Sequence, residues 1–187
     1  MKNSYFLTTL SLLTVLLTGL GGLLMPWRAS LAAAPFVNPT PLWHGESDSA
    51  SARLSQVAFG DFNGDHYADL AALSPDWSNP ETVEGALFVW QGSASGLGAN
   101  GTPGNAAWKA ETQQSGAHFA AVTTGDVNGD GYDDLLASST WYNNGQSSEG
   151  VVWVWLGSAS GLGAEGTPAN ADWLAETKVV VGLVGTS

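Results

Sequence analysis

The chain of 187 residues contains no cysteine, which excludes disulfides, thiolate metal ligands and a lipid-modified cysteine anchor. Basic residues are also scarce, because five Lys and Arg stand against 17 Asp and Glu, a formal net charge of −12. This charge opposes binding to nucleic acid and anionic lipid and favours divalent cations. After residue 34, no segment has the apolar period of a helix. The composition therefore favours an acidic protein held together by its core and by metal ions.

Residues 1–34 are predicted to be a signal peptide. Lys2 precedes an uncharged apolar run from Phe6 to Met25, and small residues follow it. We expect cleavage after Ala32 or Ala33. The run is about 20 residues long, so an uncleaved N-terminal anchor helix is the alternative. Either outcome predicts a protein that is secreted (extracellular) or held at the cell surface, with residues 35–42 as a linker.

An internal repeat organises the rest of the chain. Trp43, Trp108 and Trp173 are spaced by 65 residues, and about half of the positions in residues 43–107 recur in residues 108–172. These two ranges are predicted to be complete repeats. Residues 173–187 are predicted to be the truncated start of a third repeat, because the pattern is lost after Thr177.

Each repeat contains short segments rich in Val, Phe, Trp and Leu, separated by Gly, Asn, Ser and Pro. This pattern predicts strands rather than helices. The predicted strands are 56–59, 70–74, 86–90 and a segment around Trp108, then 122–124, 135–139, 151–155 and a segment around Trp173. Four strands in each of several tandem units are typical of β-propeller blades. We therefore expect an all-β protein of four-stranded antiparallel blades, two complete and a third truncated.

An acidic loop recurs between the first two predicted strands of each repeat. Oxygen-bearing side chains stand at positions 1, 3, 5 and 9 of each loop: Asp61, Asn63, Asp65 and Asp69, then Asp126, Asn128, Asp130 and Asp134. Hard oxygen ligands in a tight loop suit Ca²⁺. An EF-hand is excluded because position 12 holds Ala72 or Ala137 where a bidentate Glu is required. About two calcium ions per chain are expected.

The loops, together with the segment Gly85-Ala-Leu-Phe-Val-Trp that follows the first of them, resemble the FG-GAP repeat of integrin α-subunit propellers and bacterial exported proteins. The resemblance implies that the backbone carbonyls of Tyr67 and Tyr132, at position 7, complete the calcium ligands. It also implies a non-catalytic module for adhesion or interaction. The alternatives are the propeller part of an extracellular enzyme that cleaves polysaccharide or phospholipid, and a lectin-like carbohydrate binder.

No motif in the chain predicts catalysis. The glycine patterns beginning at Gly96 and Gly161 match the dinucleotide fingerprint, but a proline follows each and no helix pattern opens there. Glu84 and Glu149 are repeat-equivalent, so they belong to different blades and do not form the pair of acids that a glycosidase needs. The chain is therefore predicted not to be an enzyme.

Three aromatic residues in the loops after the second strands are candidates for ligand contact: Trp77, Trp141 and Tyr142. A protein or a carbohydrate is the expected partner. Because a closed propeller needs more than two blades, self-association or the remaining blades of a longer propeller are also expected. Position 6 is His66 in the first loop and Gly131 in the second, which predicts weaker calcium binding by the first loop.

Overall fold

The computed structural model describes residues 42–176, and these residues form two four-stranded antiparallel sheets. The predicted leader at residues 1–34 lies outside the described residues. The strands are β1 Gln56–Gly60, β2 Asp69–Ser74, β3 Ala86–Trp90, β4 Trp108–Glu111, β5 Ala121–Gly125, β6 Asp134–Ser139, β7 Val151–Trp155 and β8 Trp173–Glu176. Within residues 42–176, no helical segment has the length and apolarity that a membrane crossing requires.

Each sheet is a meander in which sequential strands pair, in the orders β1-β2-β3-β4 and β5-β6-β7-β8. The register of the second sheet repeats that of the first, since Leu70 opposes Trp90 and Leu135 opposes Trp155. The all-β architecture and the eight strands confirm the sequence prediction, while strand ends differ and Pro103–Asn105 forms one turn of 3-10 helix between β3 and β4. Two such sheets fit the blades of a propeller.

The fourth strand of the first sheet comes from the start of the second sequence repeat. β4 begins at Trp108, pairs with β3, and also makes a parallel bridge from Ala110 to Gly166. The equivalent bridge in the first repeat joins Gly45 to Gly101. The sequence repeat is therefore out of phase with the sheets, and Trp108–Glu111 connects the first sheet to the second repeat.

The main core lies between the two sheets. One face of the first sheet supplies Leu73, Leu87 and Trp108, and the second supplies Leu135 and Trp153, all 6% exposed or less. Side chains on a strand alternate between faces, so the opposite face of the first sheet builds a second cluster. That cluster contains Leu70, Ala72, Ala86, Phe88 and Trp90, with Trp43, Leu54 and Trp77 packed against it.

Candidate metal centres

Each acidic loop closes the hairpin between the first two strands of its sheet. Its last predicted ligand, Asp69 or Asp134, is the first residue of the second strand and is 0% exposed. Asp69 accepts hydrogen bonds from the backbone N–H of Phe62 at 3.1 Å and of Gly92 at 2.8 Å. These two bonds tie the hairpin loop to the loop that follows β3.

Asp134 makes the equivalent contacts in the second repeat. It accepts from the N–H groups of Val127 and Gly157, both at 2.8 Å. The buried carboxylate is therefore a repeated structural feature, since it pins two loops of its own blade in each sheet.

The other loop side chains turn back onto their own backbone. Asp61 accepts from the N–H of Asp65 at 3.0 Å and of His66 at 2.8 Å, and Asn63 accepts from Asp65 at 3.0 Å. Asp65 accepts from the N–H of Tyr67 at 2.9 Å. The loop thereby gathers the side chains of positions 1, 3 and 5 on one side of a tight turn.

The second loop repeats this arrangement with one more bond. Asp126 accepts from the N–H groups of Gly129, Asp130 and Gly131, at 2.6, 3.1 and 2.9 Å. Asn128 accepts from Asp130 at 3.0 Å, and Asp130 accepts from Tyr132 at 3.0 Å. The glycines at positions 4 and 6 of this loop have positive φ, which places the N–H groups toward Asp126.

Electrostatics differ between the buried and the exposed ligands. Burial raises the pKa of the Asp69 carboxyl, the N–H groups of Gly92 and Phe62 oppose this, and the charges of Asp65 and Asp61 add to it. The pKa of Asp126 lies below its ordinary value because the N–H of Gly131, with those of Gly129 and Asp130, stabilises the carboxylate. Negative charge is therefore concentrated at each loop and opposed mainly by N–H dipoles.

The donor set fits a hard divalent cation, although the side chains do not surround a common point. Within residues 42–176, no three His, Cys, Asp or Glu side chains are arranged to hold a metal ion. The remaining predicted donors are Asn side chains and the carbonyls of Tyr67 and Tyr132. Asp126 Oδ1 accepts from both Gly129 and Asp130, whereas each oxygen of Asp61 accepts one hydrogen bond and keeps a further lone pair that could coordinate a metal ion.

The two loops contact each other across the sheets. Asp133, at position 8 of the second loop, accepts from the N–H of Asp61 at 2.8 Å, and its own N–H donates to the Asp61 carbonyl at 3.0 Å. The N–H of Ser158 donates to the carbonyl of Phe62 at 3.1 Å. Asp133 is not among the site residues predicted from the sequence, where the signal available was its difference from Ala68 at the equivalent position.

A second acidic cluster lies away from the loops, where the segment before β3 meets β4. Glu84 is 0% exposed, and its Oε1 accepts from the N–H of Asn79 at 2.8 Å. Burial raises the pKa of Glu84 to about 7; the Asn79 N–H opposes the shift, and Glu111 and Glu81 add to it. Glu81 Oε2 and Glu84 Oε2 are buried without a donor. One proton held between these carboxyl groups would satisfy both oxygens.

The three aromatic candidates for ligand contact occupy different environments. Trp77 packs edge-on against Phe88 at 5.1 Å, and its Nε1 donates to Glu111 at 3.0 Å. Tyr142, its repeat equivalent, packs against Trp153 at 4.9 Å. Trp141 is 55% exposed, so it presents the most accessible ring of the three.

Comparison with known proteins agrees with the geometry. Residues 54–90 and 119–155 match the FG-GAP repeat family. Integrin alpha-PS2 of Drosophila melanogaster is 33% identical to this chain over 111 residues, which cover 56% of the chain and 8% of the integrin. The chain thus spans less than a tenth of the length of that relative.

Proposed function

We propose that this chain, an FG-GAP repeat protein similar to an integrin α-subunit, is an exported, non-catalytic module that binds calcium and contacts a protein or carbohydrate. Calcium in this proposal braces the hairpin between the first two strands of each blade. The observation that carries it is the pair of oxygen-rich loops at equivalent points of the two sheets.

In the first loop, the ion would be held by Asp61, Asn63, Asp65 and Asp69 with the carbonyl of Tyr67. In the second, Asp126, Asn128, Asp130 and Asp134 would hold it with the carbonyl of Tyr132. When bound, calcium supplies positive charge that offsets the repulsion between carboxylates in one tight loop. The acidic residues themselves order the loop by accepting hydrogen bonds from its N–H groups.

The loop contacts between the sheets would extend this bracing from one hairpin to the pair of repeats. Asp61 is a predicted ligand in the first loop and is also bonded through its backbone to Asp133 of the second loop. Ordering the first loop would therefore also fix the backbone groups of Asp61 that contact Asp133 of the second repeat. We expect calcium to stabilise the packing of the two sheets as well as each hairpin.

The predicted leader and the similarity to an integrin α-subunit support export and an extracellular site of action. For ligand contact, Trp141 is the leading candidate because it is exposed. Tyr142 also lines an open groove of about 480 Å³ with Gln113, Asn144 and Leu174. A tryptophan-fluorescence titration of Trp141→Phe and the parent chain with candidate glycans and proteins tests this part of the proposal.

Isothermal calorimetry with Ca²⁺ tests the metal sites. We expect two sites in the parent chain and one in each of Asp65→Ala and Asp130→Ala. Glu165→Ala removes an acid that lies outside both loops and is 70% exposed in its side chain, so it should keep both sites. If Asp65→Ala and Asp130→Ala bind two ions as the parent does, the loops are not the metal centres.

A further inference from the structure

Exposed large apolar side chains lie on the two outward faces of the pair of sheets. The leading face is the outward face of the first sheet and carries Val57 and Phe59, which are 59% and 61% exposed. The trailing face is the outward face of the second sheet and carries Val127, Val152 and Trp173, which are 57%, 37% and 55% exposed. Large apolar side chains gathered on a face indicate an interaction surface.

The internal packing of the two sheets shows what covers a face of this kind. The first-repeat equivalents of Val127, Val152 and Trp173 are Phe62, Leu87 and Trp108, which are 2%, 0% and 6% exposed. All three lie in the core between the sheets. The trailing face is therefore a copy of a surface that, one repeat earlier, is buried against a sheet of the same type.

The leading face is a copy of the other half of that interface. Val122, the equivalent of Val57, packs against the core between the sheets. Thr124, the equivalent of Phe59, donates its hydroxyl to the carbonyl of Phe59 at 2.5 Å. One chain therefore carries the trailing half of this interface and, along β1, the exposed part of the leading half, while Leu70 and Phe88 of the leading half are already buried in the second cluster.

We propose that the trailing face of one chain binds the leading face of a second copy, continuing the packing of the two sheets from one molecule to the next. Such an interface is head-to-tail, so repeated addition produces a closed ring or an open array. The proposal rests on the exposed apolar faces and does not require calcium binding by the loops or a ligand of the loop aromatics.

The fourth strand of a sheet also contacts the next repeat, so it limits how a second copy can pack on the trailing face. In the internal interface, Trp108 of β4 fills a slot on the next repeat, where its Nε1 donates to Ala164 at 2.7 Å and its ring packs on Trp155 at 5.5 Å. In the first repeat, Trp43 already fills the equivalent slot, donating to Ala99 at 2.7 Å. If a second copy packs on the trailing face in the same way, its residues 43–46 and β8 of the first copy would occupy the same position.

The contacts favour displacement of β8. Trp43 packs on Trp90 at 5.6 Å and is partly buried, whereas Trp173 and Leu174 of β8 are 55% and 38% exposed. The N–H of Glu46 also donates to the Gly101 carbonyl, and the N–H of Gly101 donates to the His44 carbonyl, both at 2.9 Å. Residues 43–46 of the second copy therefore replace β8 along β7 of the first, in the manner of β4 along β3.

Static light scattering of the full chain tests the proposal, at saturating Ca²⁺ and about 0.15 M salt, which screens repulsion between acidic copies. We expect oligomers at micromolar concentration. Val152→Glu and Phe59→Glu should each produce monomers, while Trp141→Glu, an equally accessible aromatic off both faces, should not. Far-UV circular dichroism checks that each variant is folded.

Mixing the two monomeric variants identifies the geometry. Val152→Glu keeps an intact leading face and Phe59→Glu keeps an intact trailing face, so the mixture should form a 1:1 dimer that grows no further. A parent chain that stays monomeric overturns the proposal. So does a mixture that fails to associate, or a Phe59→Glu variant that assembles as the parent does.

Two further variants test the exchange of strands and the loop contact. Trp43→Ala should weaken association, whereas Trp173→Ala should strengthen it, because it loosens the strand that the second copy displaces. Ala68→Asp gives position 68 the residue type that its equivalent, Asp133, has in the second repeat. The new carboxylate should accept from the Asp126 N–H of the neighbouring copy and tighten association about tenfold. Equal effects of the two tryptophan variants would exclude the exchange.

Discussion

Glu84 makes the stability of the first blade dependent on pH in a direction opposite to that of an ordinary surface acid. Its pKa is raised from 4.5 to about 7, first by burial and then by Glu111 and Glu81. A raised pKa means that the folded chain holds this proton more tightly than the unfolded chain. The stabilisation is therefore fully present below pH 4.5 and is lost as the pH rises through 7.

The size of the effect follows from the same two pKa values. Each unit corresponds to about 1.4 kcal/mol, so raising the pH from 5 to 8 should lower the contribution of Glu84 to the free energy of unfolding by about 2.5 kcal/mol. Glu84→Gln keeps an acceptor for the Asn79 N–H and removes the titration. Its loss of stability over this pH range should therefore be smaller than that of the parent by the same amount.

Urea unfolding followed by tryptophan fluorescence at pH 5 and pH 8, with calcium chelated throughout, measures the difference. Glu81→Gln should lessen the pH dependence only in part, because burial remains the main cause of the raised pKa. Repeat 2 already carries Gln146 at this position, so the substitution is compatible with the fold. Glu165→Gln is the control and should behave as the parent. Identical pH dependence in the parent and in Glu84→Gln would refute the reasoning.

Two substitutions test the acidic loops further. His66 has φ of 69° where Gly131 has 93°, so His66→Gly should relieve strain of about 1 kcal/mol and tighten calcium binding by the first loop several-fold, as measured by calorimetry. An unchanged affinity would show that position 6 does not set the difference between the loops. Asp133→Ala removes the acceptor for the N–H of Asp61 and should lower the free energy of unfolding by about 1–2 kcal/mol in urea. A loss equal to that of Glu165→Ala would contradict this role.

The strands were predictable because each apolar run is short, rich in β-forming residues and bounded by turn residues. The hairpin position of the acidic loops followed from the same pattern. Glu84 could not be placed in this way, because its burial depends on Asn79 and on β4, which lies some 25 residues further along the chain. Its repetition as Glu149 indicated a structural role without revealing the burial that raises the pKa of Glu84.

The aromatic residues show the same limit. Trp77 and Tyr142 stand at equivalent positions in loops, a setting that favours exposed rings, yet both rings pack on the third strand of their own sheets. Trp141 is exposed, and its equivalent is Asp76, which pairs with Arg53 at 2.7 Å. Whether a loop aromatic is exposed depends on whether the strand below it offers an apolar surface. The spacing of residues in the sequence does not reveal which strand lies below.

The differences between the repeats separate structural positions from specialised ones. Residues that recur and are buried in both sheets, such as Asp69 and Asp134, are required by the blade itself. Trp108 and Trp173 also recur but differ in exposure, 6% against 55%, because only one has a sheet packed on it. The blade does not require a particular residue at positions that differ between the repeats. Trp141 is at such a position, because its equivalent is Asp76, and its side chain is exposed. A ligand specific to this chain should therefore depend on Trp141 more than on any recurring aromatic residue.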